Sequence, residues 1–315
     1  MKTKALITSI AGTILSKKEL NLFKTYKPWG IILFKRNIKD FYQAKKLIES
    51  IKNIFNNKNY PIIIDEEGGT VCRLTSFIDN KPYSQNFFGS LYKKNKSLAI
   101  SVYKNYIFSL SSVFKTLGIN INTVPVLDIL KKNTHKIISP RTFSDDLNII
   151  KILGKLCIKS YKTNKIGTVI KHIPGHGSAS SDSHLTLPIV NKSYKNLNKT
   201  DFSCFKTMDS HFAMTAHILF SNIDSKNVVT HSPYLIKKII RKQIGFKGIL
   251  ISDDISMKAL KFNLIENAKR SLAAGCNLAL YCSGKYQESK KLLKELPLID
   301  NFTIKKTSQF YKFLR

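Results

Sequence analysis

Arginine is scarce in this chain: of its 52 basic residues only six are arginines, against 20 acidic residues and a formal charge of +32. A charge of that size would ordinarily point to nucleic acid or to an anionic membrane. The shortage of arginine argues against a dedicated binder, because arginine supplies the bidentate contacts to phosphate and guanine. The chain also holds 40 isoleucines and 24 asparagines, and its lysines are spread along the whole length. Codons for Lys, Ile and Asn are the richest in A and T, so the charge reads as base drift. Weak adhesion to polyanions at low salt is expected, and specific nucleic-acid binding is not.

Other absences narrow the class further. The five cysteines, Cys72, Cys157, Cys204, Cys276 and Cys282, form no Cys-x-x-Cys pair, which argues against a disulfide framework and a zinc cage and fits a reducing, cytoplasmic compartment. No apolar run reaches the roughly 18–20 residues that span a bilayer. The stretch 5–15 after Met1-Lys2-Thr3-Lys4 imitates a short signal peptide. Thr8, Ser9, Gly12 and Thr13 interrupt it, however, and no small-residue cleavage site precedes Lys17-Lys18-Glu19. A strand, a turn and a helix are expected there instead. There is no Gly-x-Gly-x-x-Gly or Walker loop, no linker rich in Pro, Gly or Ser, and no internal repeat.

What the chain does have is alternation. Eight short apolar, β-branched runs recur at 5–10, 30–34, 61–64, 119–126, 167–170, 212–215, 248–251 and 277–281. Between them lie segments with helical spacing, such as Phe41, Ala44, Leu47, Ile48 and Ile51. Near-continuous apolar strands alternating with helices form a parallel sheet covered on both faces. Eight such units predict an α/β fold consisting of a single (β/α)₈ TIM barrel over residues 1–315. Residues 192–199 read as a solvated surface loop, and residues 285–315 as one or two amphipathic helices closing the barrel.

In such barrels the active site sits at the C-terminal ends of the strands. This chain places its polar chemistry there: Asp65 and Glu66 after the third run, Asp128 after the fourth, Lys171 and His172 after the fifth, His217 after the sixth, Asp253 and Asp254 after the seventh. The longest strand-to-helix loop follows the fifth run and carries His172, His176, Asp182 and His184. Residues two apart on extended backbone point the same way, so Asp182 can orient the His184 imidazole and raise its basicity, as a proton shuttle requires. Because residues 175–184 are mostly Gly, Ala and Ser, the loop is expected to be mobile, anchored only by His176, Asp182 and His184. A metal held by His172, His176, His184, His217 and Asp253 is the rival. With no His-Glu-x-x-His or His-x-His spacing, no metal and no cofactor are expected.

Three segments carry a specific resemblance. They are Ile64-Asp65-Glu66-Glu67-Gly68-Gly69 through Arg73-Leu74, then Lys171-His172-Ile173-Pro174-Gly175-His176-Gly177 with Asp182-Ser183-His184, then Gly245-Phe246 with Ser252-Asp253-Asp254 and Ser256-Met257. In this order they resemble the motifs of bacterial β-N-acetylglucosaminidases of glycoside hydrolase family 3. Weaker echoes include Phe34-x-Arg36-Asn37, Pro125-Val126-Leu127-Asp128, Arg141-x-Phe143, Met214-Thr215-Ala216-His217 and Ala274-Gly275-Cys276.

The resemblance implies a retaining hydrolysis through a glycosyl-enzyme ester. Asp253 matches the nucleophile and His184, assisted by Asp182, the acid/base. Asp65, Arg73, Arg141, Lys171 and His172 match the sugar-binding set. Two of the six arginines thus fall on positions where lysine cannot replace a bidentate guanidinium. Asp128 and Asp254 read as structural, and His176 and His217 as either structural or functional. The implied substrate is a muropeptide, N-acetylglucosamine β-1,4-linked to an anhydro-N-acetylmuramic acid, in peptidoglycan recycling. The expected partner is this small carbohydrate, with no membrane and no specific nucleic acid, and the chain is expected to act as a monomer.

Two departures stand out. Asp65-Glu66-Glu67 replaces the family's usual Asp-Gln-Glu, which should add a carboxylate at the rim with Glu66 as a reserve acid/base. Ser139-Pro140 precedes Arg141 instead of Gly and an acidic pair, which puts the reach of Arg141 in question. The rival functions are a β-glucosidase of the same broad family and a non-catalytic basic barrel that binds polyanions.

Overall fold

The computed structural model describes residues 2–131, 139–179 and 186–315. Eight parallel strands close into a barrel in sequence order: β1 (Thr3–Thr8), β2 (Lys27–Leu33), β3 (Ile62–Ile64), β4 (Ile121–Asn122), β5 (Gly167–Ile173), β6 (Phe212–Thr215), β7 (Ile249–Asp254) and β8 (Leu278–Tyr281), with β8 pairing back onto β1. The helices are α1 (Lys17–Thr25), α2 (Phe41–Ile54), α3 (Gln85–Lys94), α4 (Lys96–Leu117), α5 (Leu147–Thr163), α6 (Tyr194–Lys199), α7 (Leu264–Ala274), α8 (Tyr286–Glu295) and α9 (Asn301–Leu314), with a π-helical segment at Leu235–Gln243 before β7. Among the described residues no helix is long and apolar enough to cross a membrane.

Local chemistry starts each unit where the expected strand ends. Ser16 caps α1 through the Glu19 amide while Glu19 reaches back to the Ser16 amide, a reciprocal capping box. Asp40, Ser84, Asn95, Asp146, Asn263 and Asp300 cap α2, α3, α4, α5, α7 and α9 in the same side-chain-to-amide manner. Alternate strand residues then face inward. Ala5, Ile7, Ile32, Ile63, Ile121, Val169, Met214, Ile249, Ile251, Leu278 and Leu280 fill the barrel, and Leu6, Ile31, Ile62, Ile64, Ile170, Ala213 and Leu250 pack against the helices.

The bottom of the barrel is sealed by aromatic rings. Phe310 of α9 lies 5.0 Å from the Phe212 ring, which lies 5.5 Å from Trp29, and the Trp29 indole donates to Thr307 Oγ1 at 2.8 Å. Residues 285–315 thus form two helices, and the second supplies the floor. That leaves the C-terminal rim as the open end.

Four departures from the expected elements stand out. Strand β4 is two residues long, not eight, and asparagine side chains supplement its backbone pairing. Asn120 accepts from the Ile62 amide at 2.9 Å, and Asn122 accepts from the Glu66 amide at 3.0 Å while donating to the Glu66 carbonyl at 2.8 Å. Strands β5 and β7 run further than their apolar runs, so that Lys171, His172, Asp253 and Asp254 belong to the strands themselves. Residues 194–199 form a short helix instead of a loop, capped by Ser193 and held by the buried Leu197.

Asn122→Ala leaves two buried backbone groups of Glu66 unpaired, each worth about 1–3 kcal/mol. A urea titration should show a loss of about 2–6 kcal/mol in stability with an unchanged slope. A loss below that range would mean that β4 does not depend on this side chain.

Candidate active site

At the rim, charge is matched across strands. Asp65, directly after β3, accepts from Lys171 Nζ of β5 at 2.6 Å, from Arg73 Nη2 at 2.8 Å and from Thr123 Oγ1. The same Lys171 ammonium lies 2.5 Å from Glu67 Oε1. Glu67 in turn takes a two-pronged contact from Arg141, Nε and Nη2 each at 2.8 Å. Burial by itself would raise the Asp65 carboxyl, but the Lys171 and Arg73 cations outweigh it and hold the group far below the usual carboxylate range. Glu67 is likewise lowered: against its burial stand Arg141 and Lys171. The Arg141 guanidinium, itself buried, is raised by Glu67. Three cations thus meet two carboxylates in one connected network.

A second layer orients the imidazoles. Asp128 accepts from the His172 ring Nδ1 at 2.7 Å and from the His176 backbone amide at 2.6 Å. Its burial is outweighed by His172, so it stays below its ordinary range. The other ring nitrogen of His172, Nε2, lies 3.4 Å from Arg141 Nη2. His217 is fully buried, with Nδ1 2.7 Å from Thr230 Oγ1 and Nε2 3.0 Å from the Asp254 carbonyl oxygen. Asp254 accepts from the amide and hydroxyl of Ser256 and from the Cys282 amide. Asp128, His217 and Asp254 therefore hold backbone and rings in place around the rim. His176 is buried, and burial lowers its imidazole to about 4. Neither of its ring nitrogens has a hydrogen-bond partner among the described residues.

The structure brings together Asp65, Arg73, Arg141, Lys171 and His172. Asp253, the penultimate residue of β7, lies on the same rim, where its charge bears on His217 and, with Asp254 and Asp65, on Cys282 after β8. Arg141, whose reach was in question, is drawn inward by Glu67. Asp182 and His184 lie outside the described residues.

Two expectations need correction. Glu66 does not add a carboxylate to the rim: it is buried and accepts from the amides of Arg73 at 2.6 Å and Leu74 at 3.1 Å and from Asn80 Nδ2 at 3.0 Å. Its carboxyl is raised by burial, and it ties down the segment 66–80 instead of facing the barrel mouth, so it is no reserve acid/base. The first part of the long loop is also not loose. The His176 amide is fixed by Asp128, and Ser178 is held by Asp201 through its amide at 3.0 Å and its hydroxyl at 2.8 Å.

Glu67 was missed, although its signal was present, because positions 65 and 67 share one side of an extended segment. Thr123 and Asp201 had no local signal. Among the described residues no three His, Cys, Asp or Glu side chains converge to hold a metal. A cleft of about 420 Å³ at the opposite end of the barrel, lined by Lys162, His211, Phe212 and Lys306, contains none of these groups.

Comparison with known proteins places this rim in context. The glycosyl hydrolase family 3 N-terminal domain matches residues 6–307. The chain is 29% identical over 315 residues to the beta-hexosaminidase of Psychromonas ingrahamii, covering 98% of this chain and 89% of that protein. It is 30% identical over 284 residues to the beta-hexosaminidase of Shewanella frigidimarina, covering 88% and 82%. NagZ from Neisseria gonorrhoeae, solved in complex with N-trifluoroacetyl-D-glucosamine, superposes with a TM-score of 0.89 at 26% identity, covering 100% of this chain and 91% of that one.

Glu67→Gln leaves Lys171 with Asp65 alone and takes from Arg141 the carboxylate it grips. A buried pair broken on one side costs about 3–5 kcal/mol, and the melting temperature should fall accordingly. Stability should also fall in acid, in two stages. With His176 and His231 held by burial to about 4 against an ordinary value of 6.5, the unfolded chain takes up these protons first, so stability drops from about pH 6.5 toward pH 4. Asp65, Glu67 and Asp128, all lowered, add their loss as the pH falls below their ordinary values of 3.8–4.5. Urea midpoints across this range test both stages, and His176→Phe should reduce the first, with His211 and His231 still contributing to it.

Proposed function

The chain belongs to glycosyl hydrolase family 3, and from that membership we propose that it is a retaining exo-β-N-acetylglucosaminidase that acts on muropeptides in peptidoglycan recycling, as a cytoplasmic monomer. The observation that carries this reading is the Asp65–Arg73–Lys171–Glu67–Arg141 network on the same rim as Asp253. A pyranose needs acceptors and donors fixed around its hydroxyls before it can react. Asp65 and Arg73 are the members of the network most open to the barrel mouth, while Glu67 and Lys171 lie beneath and hold them. The names of the relatives, and the N-acetylated glucosamine derivative in the Neisseria neighbour, support the sugar class.

The reaction follows in two balanced steps. An oxygen of Asp253 bonds to the anomeric carbon as the glycosidic bond breaks, and His184 gives its proton to the leaving oxygen. Water then attacks the same carbon, losing a proton to His184, and the ester bond to Asp253 breaks to restore the carboxylate. Imidazole can serve both steps because it titrates near neutrality. Asp182 supports it, and the network of Asp65, Arg73, Arg141, Lys171 and His172 binds the sugar. A surplus of one cation in that network favours an anion beside it, which suits a carboxylate nucleophile.

The test is hydrolysis of an aryl β-N-acetylglucosaminide beside the matching β-glucoside. Preference for the first is expected, and preference for the glucoside would replace the substrate class. Proton NMR of the earliest product should show the β-anomer, since α-anomer would remove Asp253 as nucleophile. Asp253→Asn should lower kcat by roughly a thousandfold or more with the fold intact. Dialysis against a chelator should leave activity unchanged, and a loss restored by zinc would revive the metal-hydrolase reading.

A further inference from the structure

The residues that begin the loop after β5 are held by a charge cluster that lies outside the sugar-binding network. Asp201, in the turn after α6, is almost wholly buried. Its carboxylate accepts from the Ser178 amide at 3.0 Å, from the Ser178 hydroxyl at 2.8 Å, from the Thr200 hydroxyl at 2.8 Å and from Lys131 Nζ at 2.5 Å. Lys131, which comes from the segment after β4, also donates to the Ser178 hydroxyl. One buried carboxylate therefore joins three connections of the barrel: the one leaving β4, the one leaving β5 and the one returning to β6.

The backbone around this cluster leaves no slack. Gly175 has φ +138°, and a Cβ there would lie 2.7 Å from Asp201 Cβ, while a Cβ on Gly177 would lie 1.9 Å from the Ile129 carbonyl oxygen. Between these glycines the His176 amide is bound to Asp128, and the Ala179 amide closes a turn onto the His176 carbonyl. Residues 175–179 are thus clamped on both sides, by Asp128 toward the rim and by Asp201 toward the outer layer. The chain continues from this clamp into residues 180–185, which include Asp182 and His184.

We propose that Asp201, together with Lys131, is a positioning residue for proton transfer: it fixes the departure point of the segment that carries the acid/base. It touches neither sugar nor the reacting atoms. This rests on His184 being the acid/base, and its consequence is specific. Loosening residues 175–179 spreads the imidazole over more orientations and so weakens protonation of the leaving oxygen, while binding of the sugar by Asp65, Arg73 and Lys171 is untouched. The loss must therefore grow as the leaving group becomes poorer.

The experiment compares kcat/KM for 2,4-dinitrophenyl and 4-methoxyphenyl β-N-acetylglucosaminides in the full chain, with Asp201→Ala, Lys131→Met, Ser178→Ala, His184→Ala and the Asp201→Ala/His184→Ala double variant. Asp201→Ala should lose about 10–100-fold on the methoxyphenyl substrate and under about threefold on the dinitrophenyl one, which departs without a proton. In the His184→Ala background it should add no further loss on the methoxyphenyl substrate. Should Asp201→Ala fail to fold, Lys131→Met and Ser178→Ala retain the carboxylate and should show the same selectivity at about 3–10-fold. Equal losses on the two substrates, or additive losses in the double variant, would overturn the positioning role. If His184→Ala itself lost equally on both substrates, the acid/base assignment would fall and this proposal with it. Selectivity in His184→Ala but not in the Asp201, Lys131 and Ser178 variants would remove only the proposal.

Discussion

A lysine ammonium that is almost fully buried can persist only between opposite charges, and Lys171 sits between Asp65 and Glu67. This need determines much of the rim. Asp65 must follow β3 immediately to reach it, and Glu67 must return two residues later on the same side. Arg141 must then cross from the β4–β5 connection to balance Glu67, and Arg73 must do the same for Asp65. Each charge is tolerable because the next one is present. The polar groups left most open, Asp65 and Arg73, are held in place by their partners, which is the order that the proposed sugar site requires.

The two ends of the barrel are built on opposite physics. At the bottom, Trp29, Phe212 and Phe310 exclude water by apolar packing, with one indole hydrogen bond to Thr307. At the top, carboxylates and cations occupy the corresponding volume and their hydrogen bonds replace water. The second set costs stability whenever one member is removed or protonated, so the rim carboxylates add to an acid response that the buried histidines, His211 at the floor among them, begin.

Four of the six arginines tie separate segments of the fold together. Arg36 reaches Ser9 and the Cys282 carbonyl, Arg73 and Arg141 grip carboxylates, and Arg241 reaches the carbonyls of Phe246 and Gly248 and the side chain of Asn277. Arg36, Arg141 and Arg241 each use more than one guanidinium nitrogen, a set of contacts that one ammonium could not make. Lysine prevails on the surface, where a point charge suffices.

Much of this was legible in the sequence because it is local. Eight β-branched runs with caps after them specify eight strand–helix units, and the carboxylates and imidazoles that follow the runs must come to the C-terminal rim once the barrel closes. Asp65, Lys171 and His172 could be placed there on that basis, and Arg73 and Arg141 were named from the family motifs alone. Tertiary structure alone decided which of two adjacent glutamates faces the mouth. Glu67 turns toward Lys171 and Arg141, whereas Glu66 turns away to the amides of Arg73 and Leu74, and both choices are set by partners brought from elsewhere in the fold. It also decided that β4 would be completed by asparagine side chains, and that Asp201 would meet Lys131 across 70 positions of sequence. The physical reason is common to these cases. Periodicity and capping are short-range properties carried by neighbouring residues, while the pairing of buried charges depends on distances that exist only after the sheet has closed.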